Sequence, residues 1–177
     1  MAPATAVAEQ ALRLFRPNDP AAALGIAVSY LMTKPAFAKL AFGDWSRILV
    51  GQINRKHFCF VVDGAGQVQG FKVQGFMGWA LASEENAKAW ADGRRALTFE
   101  DSLRGDCMVV NAFAAESNAV TRFLVDEARR IASDKTAIYF KRHYKDGKAR
   151  AARMPINAFV GRHIARNSER PAAAPAA

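Results

Sequence analysis

The clearest periodicity in the chain lies in residues 117–132. Val120, Phe123, Leu124, Ala128 and Ile131 fall on one helical face there, and Arg122, Asp126, Glu127, Arg129 and Arg130 fall on the other. Such a helix is stable only when something covers its apolar stripe. The segments on either side, 107–113 and 136–144, carry Val, Ile, Phe and Tyr in the density expected of strands. A helix between strands points to helices layered on a sheet.

The rest of the chain fits that frame. Asp19 before Pro20 starts a helix, because the carboxylate accepts from free first-turn donors and proline tolerates the first helical position. The spacing predicts a helix over 20–33 with Leu24, Val28 and Leu31 on one face, ended by Pro35. A second helix is expected over 38–50 with Leu40, Trp45, Ile48 and Leu49. Strand character begins at His57 and runs to the turn sequence Asp63-Gly64-Ala65-Gly66. The returning strand holds a tandem repeat, Val68-Gln69-Gly70-Phe71 and Val73-Gln74-Gly75-Phe76, offset by five. An odd offset puts the copies on opposite faces of a regular strand, so a bulge or a longer hairpin is expected. Ser83 before Glu84 and Glu85 caps a short helix ending near Gly93, and Thr98 with Asp101 marks a further turn. A turn at Asp146-Gly147 leads to a basic strand around Arg150.

The reading is an α/β (α+β) fold, one domain over residues 19–157 with a mixed, mainly antiparallel sheet flanked by helices. Residues 1–18 are expected to be a flexible lead-in, and 158–177 a basic, then Pro/Ala-rich tail.

Lys and Arg number 25 against 16 Asp and Glu, a formal charge of +9. Residues 141–170 hold nine basic and two acidic groups, +7, so the excess belongs to one segment and the rest of the chain is nearly neutral. No apolar run approaches the roughly 20 residues of a membrane span. The first twenty residues lack the pattern of a secretory signal. Cys59 and Cys107 sit far apart in apolar runs, which suits buried thiols in a reducing cytoplasm.

Chemistry is sparsely marked. Asp63-Gly64-Ala65-Gly66 precedes a strand, not a helix, and is no phosphate loop. His57, His143 and His163 show no metal-ligand spacing, so no metal site is expected. The basic segment suits an acidic protein better than nucleic acid, since no nucleic-acid module accompanies it.

Residues 24–155 resemble a family. Leu24-Gly25 opens the first helix and Pro35 follows ten residues after Gly25. Trp79 precedes Ala80-Leu81-Ala82-Ser83-Glu84-Glu85-Asn86. Glu100-Asp101 leads to Arg104-Gly105-Asp106 before a strand, and residues 139–153 form a basic Asp-Gly hairpin. In order and spacing these pieces resemble the toxin-activating lysine acyltransferases of the haemolysin C type, which modify RTX protoxins. The resemblance implies a cytoplasmic, usually dimeric protein similar in fold to Gcn5-related N-acetyltransferases. It also implies acyl-acyl carrier protein as co-substrate, with no bound cofactor, and a protein lysine as acceptor. Carrier protein is acidic, and Arg142, Lys148, Arg150 and Arg153 are the residues placed to steer it.

The chain departs from the family at its centre. The family's histidine, two residues after the proline, corresponds to Phe37. Its aspartate corresponds to Asn111 when aligned on the strand's end, or to Ala112 by ungapped counting from Gly105. Phe cannot accept a proton, and losing a general base typically costs about 100-fold to 10,000-fold in rate. His57 and Asp44 are the groups that could substitute. Two readings follow: a protein-lysine acyltransferase with altered catalytic groups, or a non-catalytic acyltransferase-fold protein serving as a protein-binding or scaffolding subunit.

Overall fold

Asp19 caps the first helix as its position demands: the carboxylate accepts from Ala21 N and Ala22 N at 3.1 Å each, with Pro20 at the first turn. The structure is a computed structural model and describes residues 12–63, 72–144, 148–157, 161, 162 and 165. Helix α1 (Pro20–Leu31) buries Ala23, Ala27, Tyr30 and Leu31. This face differs from the Leu24–Val28–Leu31 stripe expected: the alanines face the core, and Leu24 and Val28 pack at its margin. The expected second helix is two, α2 (Pro35–Ala38) and α3 (Phe42–Asn54). Leu40 lies between them, exposed, while α3 buries Trp45, Leu49, Gln52 and Ile53.

Six strands form one sheet: β1 (Leu12–Phe15), β2 (Phe58–Asp63), β3 (Val73–Ala82), β4 (Cys107–Ala115), β5 (Ala137–His143) and β6 (Ala149–Pro155), ordered β1-β2-β3-β4-β5-β6. Neighbours are antiparallel except β4 and β5, which run parallel because α5 (Asn118–Ile131) crosses over between them. Helix α4 (Glu84–Ala91) follows β3, capped by the Ser83 hydroxyl as expected. The fold is therefore the mixed, mainly antiparallel α+β sheet with flanking helices that the element order predicts. β1 lies inside the stretch for which the sequence predicts no element.

Of the two alternatives expected from the odd repeat offset, a bulge is present in the second copy. Val61 pairs with Gly75 and Val62 with Val73, which leaves Gln74 extra on β3. The first repeat copy, the turn at 64–66, the Asp146-Gly147 turn and His163 lie outside the described residues.

Alternation along β3 sorts the core. Phe76, Ala80 and Ala82 face one side, Phe76 packing in the cluster with α1 and α3 and the alanines packing with α4. Met77 and Trp79 face the other side, where Val120, Leu124 and Ala128 of α5 cover them. Full burial of a side chain such as Leu124 contributes about 1.5–3 kcal/mol. Cys59 and Cys107 are free and buried, and burial pushes the Cys59 thiol up to about 12. No helix is long and apolar enough to cross a membrane among the described residues.

Candidate functional site

Phe37 sits in α2, where Pro35 sets the first turn and Phe37 N donates to Lys34 O. Its half-buried ring meets the buried Trp45 ring edge-on, centroids 6.0 Å apart, and Phe42 closes on Trp45 from another direction at 5.4 Å. The position where the resemblance implies a histidine is thus an aromatic packing position, against a cluster that includes Leu49 and Ala112.

Asn111 is the extra residue of a second bulge. Gly78 pairs with Ala112 and Trp79 with Val110, so Asn111 has no opposite number on β3. Its Oδ1 accepts from Gln52 Nε2 of α3 at 2.5 Å, and Gln52 is wholly buried. Room for Gln52 exists because residue 78 is glycine: a Cβ there would lie 2.2 Å from Gln52 Oε1. Bulge, glycine and glutamine together hold two neutral amides, Gln52 and Asn111, the second at the position where the resemblance implies an aspartate.

Helix α3 ends just beyond Gln52 in a Schellman closure: His57 N donates to Gln52 O at 2.8 Å and Lys56 N to Ile53 O at 2.9 Å. Lys56 takes the left-handed conformation, φ 58°, usually left to glycine. Three buried polar atoms find no partner among the described residues, and all lie in this short stretch: Gln52 Oε1, Arg55 Nε and His57 Nδ1. His57 stacks on Trp79, centroids 5.8 Å and planes 15° apart. Burial, then the charges of Arg55, Arg16 and Lys135, lowers its imidazole to about 4, so it is neutral at pH 7.

Neither expected substitute reaches the amide pair. Gly78 fronts Gln52, so Trp79 and the His57 ring stacked on it occupy the opposite face of the sheet. Asp44 is exposed in the first turn of α3, eight residues before Gln52 and so about 12 Å away along the axis.

The β4–β5 pairing ends where the β4 bulge lies. The parallel pairing of β4 with β5 covers only Cys107–Val110 against Ala137–Phe140. Beyond it β4 continues to Ala115 on β3 alone, and β5 to His143 on β6 alone. From Asn111 and Lys141 onward the two strands do not pair with each other, and this unpaired stretch, a notch in the sheet's ladder, leaves backbone groups that no strand ladder among the described residues uses.

Of the four expected carrier-binding residues, the structure brings two together. Arg142 and Arg150 are directly opposite in the β5–β6 register and share a face. Arg153, three residues on from Arg150, points to the other face, where it donates to Tyr139 Oη and Glu84 Oε1 at 3.1 Å each. The main-chain oxygen of Lys148 accepts from Tyr144 N. Basic groups along this hairpin lie over rings: Lys141 over Trp90, Arg142 over Phe140, Arg150 over Tyr144 and Arg153 over Tyr139, at 4.6–5.8 Å.

Gln52 escapes the sequence reading because the second helix is expected to end at Val50. A polar residue continuing the Trp45–Leu49 stripe at position 52 is the signal that marks it. An open groove of about 730 Å³ lies elsewhere, between α1 and the start of β3, lined by Ser29, Tyr30, Thr33, Lys72 and Glu116 among others. Among the described residues no cluster of His, Cys, Asp and Glu could hold a metal. No protein-family model matches the chain, and no curated protein matches it.

Proposed function

We propose that this chain is a non-catalytic relative of the toxin-activating lysine acyltransferases that docks an acidic acyl carrier protein and holds its acylated arm. The observation that carries this reading is the neutral amide pair: Asn111 is bonded to the buried Gln52, beside a core into which Phe37 packs. Moving an acyl group from a thioester to a lysine forms a C–N bond, breaks a C–S bond and needs a base to take the amine proton. Phe37, Asn111 and Gln52 take none.

Two further features suit binding. In the notch, where β4 and β5 stop pairing, main-chain groups outside the strand ladder would bond an extended arm. The Arg142–Arg150 pair and Lys148 put positive charge on the adjoining hairpin, where an acidic carrier would be steered in. The notch also favours the second reading, acyl transfer to a protein lysine, because an arm held there is held for chemistry as well as for storage.

One experiment separates the two. Purified chain is mixed with acyl carrier protein bearing a labelled acyl group, and both complex formation and lysine acylation are followed. The expected result is a complex that weakens steeply between low and high salt, with no acylated lysine, whether in the native chain or in Phe37→His with Asn111→Asp. Acylation by the native chain establishes the second reading, and absence of any complex removes both.

A further inference from the structure

β6 is the last strand of the sheet, and among the described residues no strand pairs with its outer side. Two hydrogen bonds at the ends of the β5–β6 ladder fix which backbone groups face outward. Tyr144 N donates to Lys148 O and Ile156 N to Thr136 O, both at 2.9 Å, with unbroken register between them. Bonded and non-bonded pairs alternate in an antiparallel ladder. Arg150, Ala152 and Met154 therefore turn their N–H and C=O toward β5, while Ala149, Ala151 and Arg153 turn theirs outward. Pro155, the next outward position, has no N–H and closes the edge. What remains is a short open edge with two methyl side chains and one arginine, and Ala149, Arg150 and Ala151 are exposed.

An open edge invites pairing. A second copy of the same strand is a poor partner: residues 149–155 contain Arg150 and Arg153 and no acid, and Arg142 lies beside Arg150 on the same face. The same charges favour carboxylates. We propose that the outer edge of β6 accepts an extended acidic segment of another protein as a seventh strand, bonded to the main chain of Ala149, Ala151 and Arg153, with its carboxylates facing Arg150 and Arg142. Arg153, on the other face, is already held by Glu84 and Tyr139, so the selecting charge is that of the Arg150 side. This inference does not rest on carrier-protein docking, which uses side-chain charge and the notch rather than the β6 main chain.

The test uses the full chain and a blocked seven-residue peptide alternating valine with glutamate, followed by amide hydrogen exchange and binding titration. Expected are slowed exchange at the N–H of Ala149, Ala151 and Arg153, no change at Arg150 and Ala152, and at least tenfold weaker binding of the same peptide with lysine in place of glutamate. Ala151→Pro removes one outward N–H and no ladder bond, so it should weaken the acidic peptide at least tenfold while carrier docking persists. Arg150→Glu should invert the preference toward the lysine peptide, and it decides the matter should the proline variant not fold. Protection already present without peptide, protection elsewhere, equal binding of both peptides, or full binding by Ala151→Pro would overturn the proposal.

Discussion

The Phe37–Gln52–Asn111 region and the β5–β6 hairpin use their polar atoms in opposite ways. The first is largely buried and neutral: a half-buried ring packs where the resemblance implies a base, and two amides bond to each other behind a glycine. The second is exposed and charged, with Arg142 and Arg150 side by side and no acid in the strand that carries Arg150. In the first, ring packing and the amide hydrogen bond strengthen the fold, while Gln52 Oε1 is buried without a partner among the described residues. In the second, like charges sit opposite one another at a cost to the fold. Stability and binding therefore ought to separate cleanly between the two regions under mutation.

The largest effect is expected at Gly78. A methyl group 2.2 Å from Gln52 Oε1 must drive Gln52 off Asn111 inside a packed core, so Gly78→Ala should lose about 3 kcal/mol, read from the urea midpoint. Gln52→Ala alone should lose about 2 kcal/mol. The double variant should lose much less than the two together, because removing the glutamine makes room for the methyl. Strict additivity would mean that Gly78 and Gln52 are not coupled, and the region would lose its claim to be a single locked unit.

Next in size is the pH dependence set by His57. Its imidazole, at about 4 in the fold, lies below the 6.5 of an unfolded chain. Between those values the unfolded state binds more protons. The stabilisation is thus complete above about pH 6.5 and is lost as pH falls toward 4. The ring is only half-buried, and with solvent screening the loss should come to about 2 kcal/mol. His57→Phe keeps a ring against Trp79 and should flatten that slope in denaturant melts taken from pH 7 to 4. An unchanged slope would assign it to other groups.

A smaller effect is expected at Lys56. Its left-handed conformation at the end of α3 costs a side chain about 1 kcal/mol relative to glycine, so Lys56→Gly should stabilise the fold by about that much. The gain should appear as a raised midpoint with no change in carrier binding.

Much of this was legible in the residues, for local reasons. Asp19 and Ser83 cap the helices they precede, and the Thr98–Asp101 turn closes through reciprocal bonds of 3.1 Å. The repeat parity points to a bulge or a longer hairpin, and a bulge lies at Gln74. What was hidden depends on distant partners. β1 is four residues long and exists because β2 offers it an edge. The burial of Gln52 depends on Gly78 and Asn111, 26 and 59 positions away. The notch starts at a bulge whose place is set by pairing between β3 and β4. Arg153 is a different case: its separation from Arg150 by three residues was readable as opposite faces, and only its tie to Glu84 and Tyr139 needed the structure.

The smallest stability effect carries the sharpest contrast. Arg150→Glu replaces a like-charge pair with Arg142 by an attractive one, so the variant should be more stable by about 0.5 kcal/mol. Over the same change, binding of an acidic carrier protein should fall about tenfold at low salt, because a charge that steered the partner now repels it. A surface that gains stability while losing a partner is held in its native form by binding, not by folding. If Arg150→Glu weakened the fold and left carrier binding untouched, the hairpin would belong with the Phe37–Gln52–Asn111 region as a structural element, and the contrast between the two would disappear.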